Sequence, residues 1–140
     1  MFSLEQCTLN LNGVDITGWS DDTDALSFPN VDIATSKRGA DGKKVTSSTG
    51  EKGGPVVIKL LANGKSTKFL MNAVTAQLNG AAVSWNGLFR DPVNGVSVAM
   101  TNGTLQNVPL GQTMGKGDVA NKEFTIDFEL VVPDYSAANF

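Results

Sequence analysis

Apolar and polar residues alternate along most of this chain, and the phase of the alternation marks out a series of short strands. Cys7, Leu9 and Leu11 alternate with Thr8 and Asn10, the period-2 pattern of a half-buried strand, and Asn12-Gly13 turns the chain into Val14 to Ile16. A hairpin is expected there. After a polar stretch holding Asp21, Asp22 and Asp24, the segment Phe28 to Thr35 puts Val31, Ile33 and Thr35 on one face and Asp32 and Ala34 on the other, with Pro29 suited to the strand's start. Val56 to Ala62 reads as a largely buried strand. Ala82 to Phe89, Val96 to Thr101 and Thr104 to Val108 read as further strands, the last two joined by Asn102-Gly103 as a tight hairpin. The strongest pattern comes last: Phe124, Ile126, Phe128, Leu130 and Val132 share one face, Glu123, Thr125, Asp127, Glu129 and Val131 the other, over about 33 Å.

One segment changes period. Leu70, Val74 and Leu78 recur at helical spacing with Phe69 and Ala73 beside them, so a helix is predicted over Thr67 to Leu78, with Ser66 as N-cap and Asn79-Gly80 as the stop. Seven or so strands with one short helix exclude an alternating βαβ architecture. They point to an all-β fold, mainly an antiparallel sandwich or barrel with one short flanking helix. Six Asn-Gly dipeptides, at 12-13, 63-64, 79-80, 86-87, 94-95 and 102-103, agree with frequent chain reversal. The 140 residues read as a single domain, 1–140, long enough to bury about two-thirds of the unfolded surface without disulfides or metals.

Between the strands lies an 18-residue stretch, 37–54, rich in Gly, Ser, Thr and Lys, longer than the roughly 12 to 15 residues compact domains leave structureless. From Lys37 to Lys52 it carries a net charge of +3, on a chain whose total is −3. The segment is either a solvated loop or a contact arm for an acidic surface, including one on another copy of the chain. It holds no aromatic residue to stack on a base, which argues against nucleic-acid recognition.

Catalytic chemistry finds little material. The chain has no histidine and one cysteine, Cys7, so the usual zinc sets, an internal disulfide and a Ser-His-Asp triad are excluded. Asp21, Asp22 and Asp24 lack the Gly and Glu of an EF-hand, and a solvated acidic turn outweighs a metal site. The Gly-rich stretches 50–54 and 111–117 match no phosphate loop. Asp127 and Glu129, two apart on one strand, suit a wet face better than a hydrolase's cleft. Trp19 and Trp85 serve either as buried anchors or as a sugar-binding platform. No catalytic residue, metal or cofactor is expected. Apolar runs reach only three or four residues, so no membrane span is expected, and the start of the chain, MFSLEQCTLN, shows no export signal.

The order of features resembles the tail tube proteins of contractile-tailed bacteriophages. A hairpin with an Asn-Gly turn (LNLNGVDITGW), a DD-x-D turn, a strand, a polar loop (KRGADGKKVTSSTGEKGG), the strand PVVIKLLANGKS and a helix opening at that Ser carry the resemblance. That family shares its fold with the ring protein of type VI secretion systems. The resemblance implies a non-enzymatic protomer of hexameric rings, stacked head to tail into a hollow tube through which DNA passes without specific binding. It also implies sheath and baseplate or terminator partners, synthesis in the host bacterial cytoplasm and residence in the virion tail. Lys37, Arg38, Gly39, Asp41, Gly42, Lys43, Lys44 and Lys52 would then reach a neighbouring subunit. Asp32, Asp127 and Glu129 are candidates for the wall of the bore, where carboxylates repel phosphate; the same residues facing a sheath are the alternative. A small β-sandwich binding module for a sugar or protein ligand, a hydrolase with an unfamiliar carboxylate site, and a secretion-system ring are the competing readings.

Overall fold

In the computed structural model, residues 6–20, 24–30, 34–48, 52–109, 114–115, 118–119 and 121–139 are described. The strands are β1 (Thr8–Leu11), β2 (Val14–Asp15), β3 (Leu26–Ser27), β4 (Ala34–Arg38), β5 (Lys44–Ser48) and β6 (Gly54–Leu60). The helix α1 (Lys65–Leu78) precedes β7 (Trp85–Asp91), β8 (Val96–Leu105), β9 (Met114–Gly115), β10 (Asp118–Val119) and β11 (Lys122–Asp134). Seven strands form one curled, half-barrel sheet in the order β2-β1-β7-β8-β11-β6-β3, while β4-β5 and β9-β10 form two-stranded sheets of their own. Every pairing among these strands is antiparallel. The expected all-β class with one helix is what the chain adopts.

The core follows from the alternation. Leu9 and Leu11, Val56, Ile58 and Leu60, Trp85, Val98 and Met100, and Phe124, Ile126 and Phe128 all point to one side of the sheet, and Leu70 and Val74 of α1 close over them. Phe69 meets the Trp85 ring edge-on at 5.7 Å, and Phe28, just beyond β3, meets Phe89 of β7 edge-on at 5.4 Å. Each fully buried side chain of this size contributes about 1.5–3 kcal/mol. Helix and aromatic contacts thus hold the curled sheet from its inner side.

Three sequence expectations give way, each for a visible reason. Ser66 is not the N-cap: α1 begins at Lys65, behind Gly64 with extended backbone (φ −77°, ψ 161°) and no side-chain cap bond. Ser66 is instead 3% exposed, and its Oγ accepts the Thr17 N–H at 2.8 Å, while Thr67 Oγ1 donates to Leu61 O at 2.6 Å. These hydroxyls tie the helix to the loops beneath it. The stop at Asn79-Gly80 stands, with Gly80 at φ +94°.

Asn102-Gly103 is not a turn. β8 runs unbroken from Val96 to Leu105, and the pair of residues Thr101 and Asn102 stands opposite the single residue Asn86 of β7, a bulge with Asn102 at φ +53°. Gly103 fits here for lack of a side chain, because a Cβ would meet Phe128 Cε1 at 2.5 Å and Ile126 Cγ2 at 2.7 Å. The third correction follows from this bulge. On β11, Phe128 lies opposite Gly103 and Val131 opposite Met100, so the inward positions step from 128 to 131 and the alternation inverts. Val131 packs on the core and Val132 turns outward, 45% exposed.

The segment 37–54 is not a plain loop: β4 and β5 make a hairpin from Ala34 to Ser48. Of the predicted strand Phe28 to Thr35, residues 28–30 lie outside any strand, Val31, Asp32 and Ile33 lie outside the described residues, and Thr35 belongs to β4.

Candidate assembly interface

The hairpin is built by its turn. Lys37 pairs with Val45 and Arg38 with Lys44; the Gly39 N–H donates to Lys43 O at 2.9 Å and the Gly42 N–H to Gly39 O at 3.0 Å. Gly42 sits at φ +80°, the left-handed position such a turn needs, and Asp41 Oδ1 accepts the Lys43 N–H at 3.1 Å. Gly39, Asp41 and Gly42 therefore shape the turn, and Lys37, Arg38, Lys43 and Lys44 stand exposed around it. These seven candidates come together. Lys52 does not join them: it lies against the main sheet, where its carbonyl accepts the Val131 N–H at 2.8 Å.

Neither hairpin strand belongs to the seven-stranded sheet. A two-stranded ribbon of its own is marginal in water, and residues 36–46 of this one are exposed. The main sheet also leaves a ledge of its own. β6 begins at Gly54 opposite Phe128, whereas β11 continues to Asp134, paired there with β8 alone among the described residues. The Val131 N–H points to this side, so Pro133 two residues on turns its donorless nitrogen the same way, as an edge strand tolerates.

Of the candidate bore residues, Asp32 lies outside the described residues, and Asp127 and Glu129 are both exposed on β11. Glu129 Oε2 accepts from Asn102 Nδ2. It ends a polar network that sequence reasoning missed: Asn12 Nδ2 donates to Ser84 O at 3.0 Å, Asn12 Oδ1 accepts the Asn86 N–H at 2.9 Å, and Asn86 Oδ1 accepts the Asn102 N–H at 3.1 Å. Three Asn-Gly pairs, far apart in the chain, thus meet at the bulge. In the sequence these pairs read only as turns.

Other charged groups are accounted for locally. Asp24, of the acidic turn, pairs with Lys59 at 2.8 Å, an exposed contact that screening leaves weak; Asp21 and Asp22 lie outside the described residues. Asp91 is 2% exposed; its carboxylate accepts the Asn94 side-chain amide at 2.8 Å and the Val93 and Asn94 N–H groups. The Asn94 amide first, then those backbone donors, hold its pKa below the usual carboxylate range. Burial, with the Asp91 charge beside it, pushes the Cys7 thiol up, which lowers its share of the nucleophilic thiolate. The described carboxyls with displaced pKa values, Asp24, Asp91 and Asp134, all move down, the reverse of the raised acid that the hydrolase reading requires. Trp85 is 1% exposed and Trp19 is packed on the core, so the two indoles are anchors and not a sugar platform. No group of three or more potential metal ligands occurs among the described residues, and no described helix is long and apolar enough to cross a membrane.

The fold, a curled antiparallel sheet carrying one helix, is shared with solved chains of contractile injection systems. The match is to a chain of the anti-feeding prophage tube-terminating cap (TM-score 0.61, 11% identity, 92% of this chain and 87% of that one) and to a chain of the PVC sheath/tube terminator in the extended state (0.63, 10%, 96% and 96%). A chain of the PVC sheath-tube complex in the extended state is equally similar (TM-score 0.64, 10% identity, 96% and 91%). Against curated proteins, no match emerges. The chain belongs to the tail fiber protein gp32 family, whose model matches residues 5–132. It is a structural tail component and not an enzyme.

Proposed function

We propose that this chain is the protomer of a tail tube: copies close into rings, hexameric by analogy with the resembled family, and the rings stack into a hollow conduit for DNA within a sheath. The observation that carries this reading is the hairpin 34–48, which forms a sheet apart from the main one and exposes Lys37, Arg38, Lys43 and Lys44. A basic arm on an otherwise acidic chain favours a head-to-tail contact, in which unlike patches meet and the assembly need not close. The likeness to a sheath-tube complex supports it. Asp127 and Glu129, with Asp32, would wall the bore and repel the phosphates of passing DNA. Sheath, baseplate and terminator proteins are the expected partners, and the virion tail the expected location, after synthesis in the host cytoplasm.

The 96% mutual coverage with a sheath/tube terminator favours a second reading, a single capping ring. Electron microscopy of the concentrated protein separates them: long tubes support the first, isolated rings the second, and persistent monomers with and without salt contradict both. Charge reversal of Lys37, Arg38, Lys43 and Lys44 to Glu should abolish assembly and shift the monomer's melting temperature by no more than about 5 °C, since these positions are exposed and each such change is worth at most about 0.5 kcal/mol. Loss of fold in that variant would make the segment part of the core.

A further inference from the structure

The outer face of the sheet carries an apolar row. The strand register sets Leu88 of β7 beside Ala99 of β8, and Ala99 beside Val132 of β11. Leu88 is 40% exposed, Val132 45%, and Ala99 is exposed between them. Across three strands at about 4.8 Å spacing, the row spans about 10 Å. The next row along the same face reads Arg90, Ser97, Asp134, so a cation and an anion stand at its two ends, also about 10 Å apart. The row is too small to mark a contact surface by itself; what singles it out is the pair of opposite charges on the row beside it.

The hairpin carries the complement. Lys37 and Val45 are direct cross-strand partners and so share a face, and Val45 is 62% exposed. Asp41, in the turn, lies about 10 Å further along the ribbon from Lys37, given about 3.3 Å per strand residue and a tight turn. One face of the arm thus presents a cation, an apolar knob beside it and an anion at the tip, in the spacing of Asp134, the apolar row and Arg90.

We infer that this strip is the seat for the β4-β5 hairpin of a second copy: Val45 rests on Val132 and Ala99, Lys37 pairs with Asp134, and the turn brings Asp41 toward Arg90. The inference rests on the reading of the chain as a self-assembling protomer. The contact is heterologous, arm of one copy on the sheet of the next, so it propagates. Its Val132 contact lies three residues, about 10 Å, along β11 from Glu129 and five residues, about 16 Å, from Asp127, all three positions being exposed.

Disulfide trapping tests it. In a Cys7→Ser background, Val45→Cys with Val132→Cys should give a ladder of cross-linked species beyond the dimer on a non-reducing gel, collapsing on reduction. Val45→Cys with Leu78→Cys, which places the second thiol on the exposed end of α1, should give none. An internal crosslink alone, equal ladders from both pairs, or no ladder from a chain that assembles in the microscope would each overturn this seat while leaving the protomer reading intact. A chain that does not assemble at all would overturn both. As an independent arm, Lys37→Asp and Asp134→Lys should each raise the critical assembly concentration about tenfold and the double swap should restore it; a double swap no better than either single change would refute the pairing.

Discussion

Gly103 offers a demanding check on the fold, because its need for glycine is steric. Replacing it with Ala puts a methyl group 2.5 Å from Phe128 Cε1 and 2.7 Å from both Ile126 Cγ2 and Phe128 Cδ1. Phe128 is 2% exposed and Ile126 fully buried, so neither ring nor branch swings into solvent to make room. Overpacking of this kind costs about 1–3 kcal/mol. For 140 residues the unfolding entropy is about 0.3 kcal/mol/K, so Gly103→Ala should lower the melting temperature by about 3–10 °C. Phe128→Leu removes the atom in closest contact. The double variant should therefore be less destabilised than the two single changes added together, a coupling readable from thermal melts followed by circular dichroism. Additive losses, or a Gly103→Ala protein that melts within 1 °C of the parent, would refute the placement of Gly103 against Phe128.

Other outcomes follow from single groups. Ser66→Ala removes the acceptor of the Thr17 N–H and should cost about 1 kcal/mol while accelerating exchange of the Thr17 amide in NMR; an unchanged Thr17 amide would return Ser66 to a capping role. Asp91 has a folded-state pKa below its ordinary value of 3.8, so the native state binds fewer protons than the unfolded chain as pH falls. Its stabilisation is then fully present above about pH 4 and lost as pH drops through the folded value. Asp91→Asn should lower the unfolding midpoint at pH 7 and approach the parent's in strong acid; parallel curves across that range would contradict the buried, hydrogen-bonded carboxylate. Gly95→Ala should be poorly tolerated, since Gly95 has φ +74° and a Cβ there would strike the Ala137 carbonyl; a normal melting temperature would rule out that packing of the C-terminal turn.

The sequence was informative wherever side-chain period alone decided the outcome. Phe124, Ile126 and Phe128 face the core because alternation leaves one side of a strand apolar, and α1 forms because Leu70 and Val74 recur at helical spacing. It misled where a neighbouring strand decides. Asn-Gly reads as a turn at 12-13, where Asn12 and Gly13 do have positive φ, and equally at 102-103, where the bulge opposite Asn86 absorbs it. Nothing within β11 itself signals that its facing inverts after Phe128, since the inversion is imposed by the bulge in β8. The basic arm was legible as charge and length. That it is a hairpin rested on Gly42 and Asp41 closing a turn between two polar strands, a pattern with little hydrophobic alternation to expose it. The apolar row of Leu88, Ala99 and Val132 joins residues from three strands and exists only once their register is known.

The proposal that identical copies complete the arm is most directly tested by amide hydrogen exchange across residues 34–48, comparing dilute monomer with the assembled state. The hairpin's amides should exchange at nearly open-chain rates in the monomer, while those of β11 and β8 stay protected, and should become protected on assembly. Strong protection of the arm in dilute monomer, or continued rapid exchange within assembled particles, would contradict the proposal that neighbouring copies complete this domain.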